Sequence, residues 1–176
     1  TARLGMLNGM VMPLLMLPCV FTSALSMVAL PRIAKAEDDP RELRRLLLTC
    51  LASCLPVSLA CTALVFAAAP FLANTVYRTA ELTSLFRAGA PLTALFAVSH
   101  LTGSVTTALG QQKRSMYGAV VVSGTTLGLT CLLTGMPGLR LYGVIAAQAV
   151  GQVLILLWNI GILALWRKER RTAAHA

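Results

Sequence analysis

Residues 4–30 contain no Asp, Glu, Lys, Arg or His, and this single fact restricts the chain more than any other. As a helix the stretch would reach roughly 40 Å, while a bilayer's hydrocarbon core is about 30 Å thick. It runs straight into Arg32, Lys35, Glu37, Asp38, Asp39, Arg41, Glu42, Arg44 and Arg45, which cannot enter lipid. One segment therefore supplies a span, its end, and a marker for the side on which that end lies. The rest of the chain repeats the alternation. Composition agrees, because 57% hydrophobic and 12% charged residues over 176 positions is too apolar for a water-soluble domain.

Four more spans follow, at about residues 46–69, 86–109, 116–136 and 142–166, each long enough to cross. Residues 31–45 form a charged cytoplasmic loop in this reading. Residues 71–85, with Arg78 and Glu81, are too polar to span and read as an interfacial helix or loop. The links at 110–115 and 137–141 are short, so consecutive helices are expected as antiparallel neighbours. Pro13 and Pro18 should bend the first span by removing backbone donors. The fold class is thus an all-α polytopic bundle of five transmembrane helices.

Charge gives the orientation. Of the fifteen Lys and Arg residues, Arg3, Arg78, Arg87 and Arg140 lie on one side and the other eleven on the opposite side. Basic loops stay in the cytoplasm, so the N-terminus is expected outside and the C-terminus inside. The chain starts at Thr1 with an external end, and is read as lacking an N-terminal part with an odd number of spans. Tyr117, Tyr142 and Trp166 sit where an aromatic belt would place them. The net charge of +9 does not point to nucleic acid, because the cations gather at span ends and not on one helix face.

Polarity inside the spans is striped. Asn8, Cys19, Thr22 and Ser26 share a sector about 60° wide in the first span. Thr93, His100, Ser104 and Thr107 align in the third, with Ser99, Thr102 and Thr106 on its other side. Ser123, Thr126, Thr130 and Thr134 align in the fourth, which also carries a GxxxG at Gly124 and Gly128. In the fifth, Gln148, Gln152 and Asn159 run beside Gly143, Ala147 and Gly151. Two readings stay open: glue between helices, where small residues allow close approach, or the lining of a hydrated cavity. The cavity candidates are Asn8, Thr22, Ser26, Thr93, His100, Ser104 and Thr107. His100 is the one ionisable residue well inside a span, and such residues mark functional sites. The five cysteines have no companion His at metal-site spacing, and read as small packing residues. No catalytic constellation, phosphate loop or metal spacing is present, so neither an enzyme nor a cofactor is expected.

The run LPCVFTSALSMVALPRIAKA (17–36) resembles the eighth span and following loop of bacterial polysaccharide-exporter flippases. These belong to the multidrug/oligosaccharidyl-lipid/polysaccharide exporter superfamily, and the similarity is to its stage V sporulation protein B group. Leu55-Pro56, Ala69-Pro70, Ala90-Pro91, TGSVTTALGQQK (102–113) and LYGVIAA (141–147) resemble the same group in order and spacing. Thr107 and Gln111 depart from it, standing where Gln and Lys are common. The resemblance implies a two-lobed transporter of twelve to fourteen helices in the bacterial cytoplasmic membrane. It would move a lipid-linked oligosaccharide or peptidoglycan precursor by alternating access. This chain would be five helices of the C-terminal lobe, partnered by a missing N-terminal lobe. Arg32, Lys35, Lys113 and Arg114 would form its cytoplasmic basic rim. A drug or cation antiporter of the superfamily is the alternative, though it would want a buried carboxylate. A non-transporting membrane scaffold subunit is the third reading.

Overall fold

The computed structural model describes residues 9, 11–36, 39–79, 82–135 and 140–173. Among them there are helices and no strands. We number these α1 (Met12–Leu15), α2 (Leu17–Lys35), α3 (Pro40–Phe71), α4 (Leu82–Ala108), α5 (Gln112–Thr134) and α6 (Arg140–Ala173), with a π-helical turn at Leu72–Val76 extending α3. Five stretches are long and apolar enough to cross a membrane: Met12–Lys35, Arg41–Val76, Leu82–Ala108, Gln112–Thr134 and Leu141–Arg170.

α4 is the axis of the bundle. Of its most apolar eighteen-residue window 56% is buried, against 6% for α5. α2 and α3 pack on one side of α4 and α6 on the other, while α5 lies against α6 and touches α4 far less, Thr106 and Ser115 meeting near their shared turn. The short link therefore does not make α4 and α5 neighbours along their length. Gly118 explains why: a Cβ there would collide with the Trp158 indole of α6, whose Nε1 donates to the Arg114 carbonyl at 3.1 Å.

The outer surface is apolar where a soluble protein's would be polar. Met27 is 75% exposed, Leu64 67% and Leu132 68%. Faces of this kind are stable against lipid and costly against water.

Two apolar clusters fill the interior. Leu15, Val65, Ala69, Leu82, Phe86, Phe96, Val144 and Ile145 gather at one end. Ile33, Leu43, Cys50, Cys54, Leu101, Leu109 and Trp166 gather at the other. That second end carries Arg32, Lys35, Arg41, Arg44, Arg45, Lys113, Arg114, Arg167, Lys168, Arg170 and Arg171. The cation asymmetry of the sequence is thus an asymmetry between the two ends of one bundle. Trp166 is packed into this cluster with the Arg170 guanidinium 5.0 Å from its ring centroid, and does not stand outward as a belt residue.

Element ends differ from the expected ones in instructive ways. The first span breaks at Met16, between the two prolines, because Pro18 has no N–H to offer the Leu14 carbonyl and the chain restarts from there. Most of residues 31–45, expected as a loop, is helical. α2 runs through Pro31 to Lys35, and α3 starts at Pro40 with the Asp39 carboxylate accepting from the Arg41 and Glu42 N–H groups. Pro40 in the first turn costs no bond, because an N–H there would have no helical partner, whereas Pro31 inside α2 leaves the Met27 carbonyl without its usual donor. Residues 71–85 hold no separate interfacial helix among the described positions, since α3 and its π-helical turn reach Val76 and α4 begins at Leu82.

Arg78 closes α3 with a φ of 51°, a left-handed conformation in which its Cβ is crowded. Arg78→Gly is expected to raise stability by about 1 kcal/mol in detergent-based thermal unfolding. An unchanged or lower midpoint would show that the side chain compensates for the strain. The α4–α5 turn already uses glycine for this purpose. Gly110 has φ 71°, and the Gln111 N–H reaches back to the Thr106 carbonyl at 3.0 Å while the Gly110 N–H reaches Thr107 at 3.1 Å.

Candidate functional site

The two polar stripes of α4 face different partners. On one side Thr93, fully buried, lies 2.5 Å from the Thr62 hydroxyl of α3, and its own hydroxyl donates to the Ala90 carbonyl. On the other side Ser99 donates to the Gln152 carbonyl of α6 at 3.2 Å. Lower down, Ser115 donates to Asn159 Oδ1 at 3.4 Å, and the buried Thr106 stands 3.4 Å from Ser115. That chain ties α4, α5 and α6 together around an Asn159 that is 1% exposed. These hydroxyls and amides are largely spent between helices, which is the glue role.

His100 sits at the α2–α4 seam. Its Nδ1 is 3.4 Å from the Thr22 hydroxyl and its Nε2 is 3.5 Å from that of Ser23. Both hydroxyls also donate to one acceptor, the Cys19 carbonyl, at 3.0 and 2.7 Å. Each has a single proton, so while it is given to Cys19 the lone pairs face the imidazole.

The other cavity candidates are dispersed. Ser26 is buried, and its Oγ has no hydrogen-bond partner among the described residues. Ser104 donates to the His100 carbonyl and Thr107 to that of Gly103, both within α4. Thr107 is exposed on the flank, and Asn8 lies outside the described residues. Thr22, Ser23 and His100 therefore come together, whereas Thr93 belongs to a separate contact and Ser104 and Thr107 satisfy themselves locally. Of the rim residues, Arg32, Lys35 and Lys113 are exposed at the basic end. Arg114 is paired there with Glu169 at 3.0 Å.

A groove of about 410 Å³ lies elsewhere, along the α5–α6 seam. Its polar lining is Ser123, Thr126 and Thr130 from α5 with Gln148 and Gln152 from α6. These are the stripes of the fourth and fifth spans, not of the first and third. The signal was present in the sequence: two stripes on helices joined by a short link can meet. The glycines behave in the same unexpected way. A Cβ on Gly143 would come within 2.8 Å of the Leu133 backbone, and one on Gly151 would overlap Thr126, so the fifth-span ridge makes the close contact. Gly124 and Gly128 of the GxxxG meet nothing within 4 Å.

The groove has no ionised group in its lining, so it offers hydroxyl and amide donors and acceptors without charge. The five cysteines are free thiols, with Cys50 and Cys54 buried and Cys131 exposed. No group of three His, Cys, Asp or Glu converges among the described residues. No protein-family model, curated protein or solved structure matches the chain.

Proposed function

We propose that the chain is part of a multi-pass flippase or exporter of the bacterial cytoplasmic membrane, moving a lipid-linked saccharide by alternating access. The observation that carries this is the uncharged groove of Ser123, Thr126, Thr130, Gln148 and Gln152 on the flank of an otherwise apolar bundle. A sugar needs many neutral hydrogen bonds, while its lipid tail needs an apolar wall beside them, and the exposed Leu127 next to the groove supplies one. The resemblance of residues 17–36 and 102–113 to polysaccharide exporters supports the same reading. The basic end faces the cytoplasm by the positive-inside rule. There Arg32, Lys35 and Lys113 meet the anionic linkage of an arriving substrate. The groove binds and does not catalyse, and a second lobe supplies the surface against which it rocks.

The test is flipping of a fluorescent lipid-linked oligosaccharide by proteoliposomes that contain the complete protein. Thr126→Trp and Thr130→Trp fill the groove from its α5 wall. Each is expected to slow flipping about tenfold or more, equivalent to ~1.4 kcal/mol of barrier. The exposed control Leu132→Trp should leave it unchanged. Normal flipping by both groove variants would reject the assignment. Cysteines at Gln112 and Val76 should label from opposite faces of intact cells, with Gln112 inside; the reverse would overturn the orientation.

A further inference from the structure

α3 begins with three arginines on one face. Arg41, Arg44 and Arg45 are followed along that face by Leu48, Thr49 and Ala52, and together these side chains border a recess of about 430 Å³. All six are exposed, whereas Leu43, Cys50 and Cys54 on the opposite face are buried in the bundle. The recess therefore looks outward, at the level where the apolar stretch Arg41–Val76 starts.

The charge of this face is unanswered. Arg114 has Glu169, Arg87 lies 5.4 Å over the Phe66 ring, and Arg170 lies over Trp166. Among the described residues no carboxylate or ring pairs with Arg41, Arg44 or Arg45. Of the two described carboxylates nearby, Asp39 is occupied in capping the helix, accepting at 2.9 and 3.3 Å from two backbone N–H groups, and the exposed Glu42 of the first turn forms no ion pair with these arginines. Three guanidiniums thus border an open recess in which no carboxylate of the described residues pairs with them. Immediately deeper, the exposed face continues through Leu48, Leu55 and Leu59, which are 54%, 45% and 59% exposed. Ala52 lies between them. Arg44 and Leu55 are eleven residues apart, about 16 Å along the axis, the distance from a headgroup into the acyl region.

We propose that this face binds an anionic glycerophospholipid, with its phosphodiester held by Arg41, Arg44 and Arg45 and an acyl chain lying along Leu48, Ala52 and Leu55. Guanidinium matches the paired oxygens of a phosphate, and basic groups beside a span attract anionic lipid. A free phosphate would use the cations but leave the apolar strip idle, while a zwitterionic lipid would bring its own cation against three others. The site rests on the bundle's placement in a membrane and is independent of transport.

The complete protein is placed in nanodiscs of phosphatidylcholine containing a small fraction of phosphatidylglycerol, and lipid retained on the protein is read by native mass spectrometry. The protein should retain phosphatidylglycerol selectively. Arg41→Gln/Arg44→Gln/Arg45→Gln should weaken it roughly a hundredfold, and a single Arg44→Gln or Arg45→Gln about fivefold, as expected for about 1 kcal/mol per cation. Leu48→Gln should weaken it too. Arg167→Gln/Lys168→Gln, at the same end of the bundle, should not. Should the triple variant fail to insert, the single variants and Leu48→Gln decide. Equal loss in the Arg167/Lys168 control, equal retention of phosphatidylcholine, or displacement by millimolar inorganic phosphate would each overturn the proposal. Failure of the unmodified protein to enter nanodiscs at all would instead reject the membrane placement beneath it.

Discussion

Gly143→Leu and Gly151→Leu are each expected to destabilise the bundle by about 1–3 kcal/mol or more, whereas Gly124→Leu and Gly128→Leu stay within about 0.5 kcal/mol. A Cβ at 143 meets the Leu133 carbonyl group at 2.8 Å, and that obstacle is backbone, which cannot rotate away. At 151 the obstacle is Thr126, whose hydroxyl is already committed to the Val122 carbonyl at 2.8 Å. In lipid no hydrophobic force restores a separated pair, because acyl chains solvate apolar helices as well as another helix does. α5 has little else to hold it, with 6% of its apolar window buried. Thermal unfolding in detergent measures the loss. Trp158, seated over Gly118, should shift its emission to the red as α5 departs. If Gly124→Leu cost as much as Gly143→Leu, the α5–α6 seam described above would be wrong.

Asn159→Asp is expected to cost about 2–3 kcal/mol, although it replaces one NH₂ by an oxygen of nearly the same size. Asn159 is 1% exposed, accepts from Ser115 and has its Nδ2 packed near Gly103, 3.6 Å from where a Cβ there would stand. A carboxylate would keep the Ser115 bond but carry its charge into a site where, among the described residues, no cation pairs with position 159. Asn159→Leu removes the bond without introducing charge, and should cost only about 1 kcal/mol, in the range of hydrogen bonds between transmembrane helices. The ranking is the test: urea or thermal unfolding that finds Asp tolerated better than Leu would mean that Asn159 is open to water.

The spans were legible in the sequence because crossing a bilayer is a property of composition over about twenty residues, which neighbours do not alter. The break at Met16 was legible from Pro13 and Pro18, since a missing N–H acts locally. Element ends were less so: residues 31–45 read as a loop by charge, yet arginines and glutamates are good helix formers and simply carry α2 and α3 out past the apolar zone. The site was harder. Periodicity tells which residues of one helix share a direction, but nothing about which helix they meet. Thr93 and His100 lie on one line of α4, and the structure sends the first to Thr62 and the second to Thr22 and Ser23. Ser123 and Gln148 were on separate stripes and border one groove. The Gly124–Gly128 spacing is a common contact motif, and it is Gly143 and Gly151 that make the contact, because their partner face on α5 is fixed by Leu133 and Thr126.

The position of α5 also bears on how the chain is made. Helices leave the ribosome in order, and α5 is delivered before α6, the helix among the described residues against which it packs most. Until α6 follows, Ser123, Thr126, Thr130 and Thr134 have only their own backbone to bond, each reaching back along the helix where this is seen, as Thr130 does to Thr126 at 2.7 Å. The α5–α6 hairpin is therefore the natural unit of lateral release from the insertion machinery, and a nascent chain halted between these two helices should hold α5 at the translocon instead of yielding it to lipid.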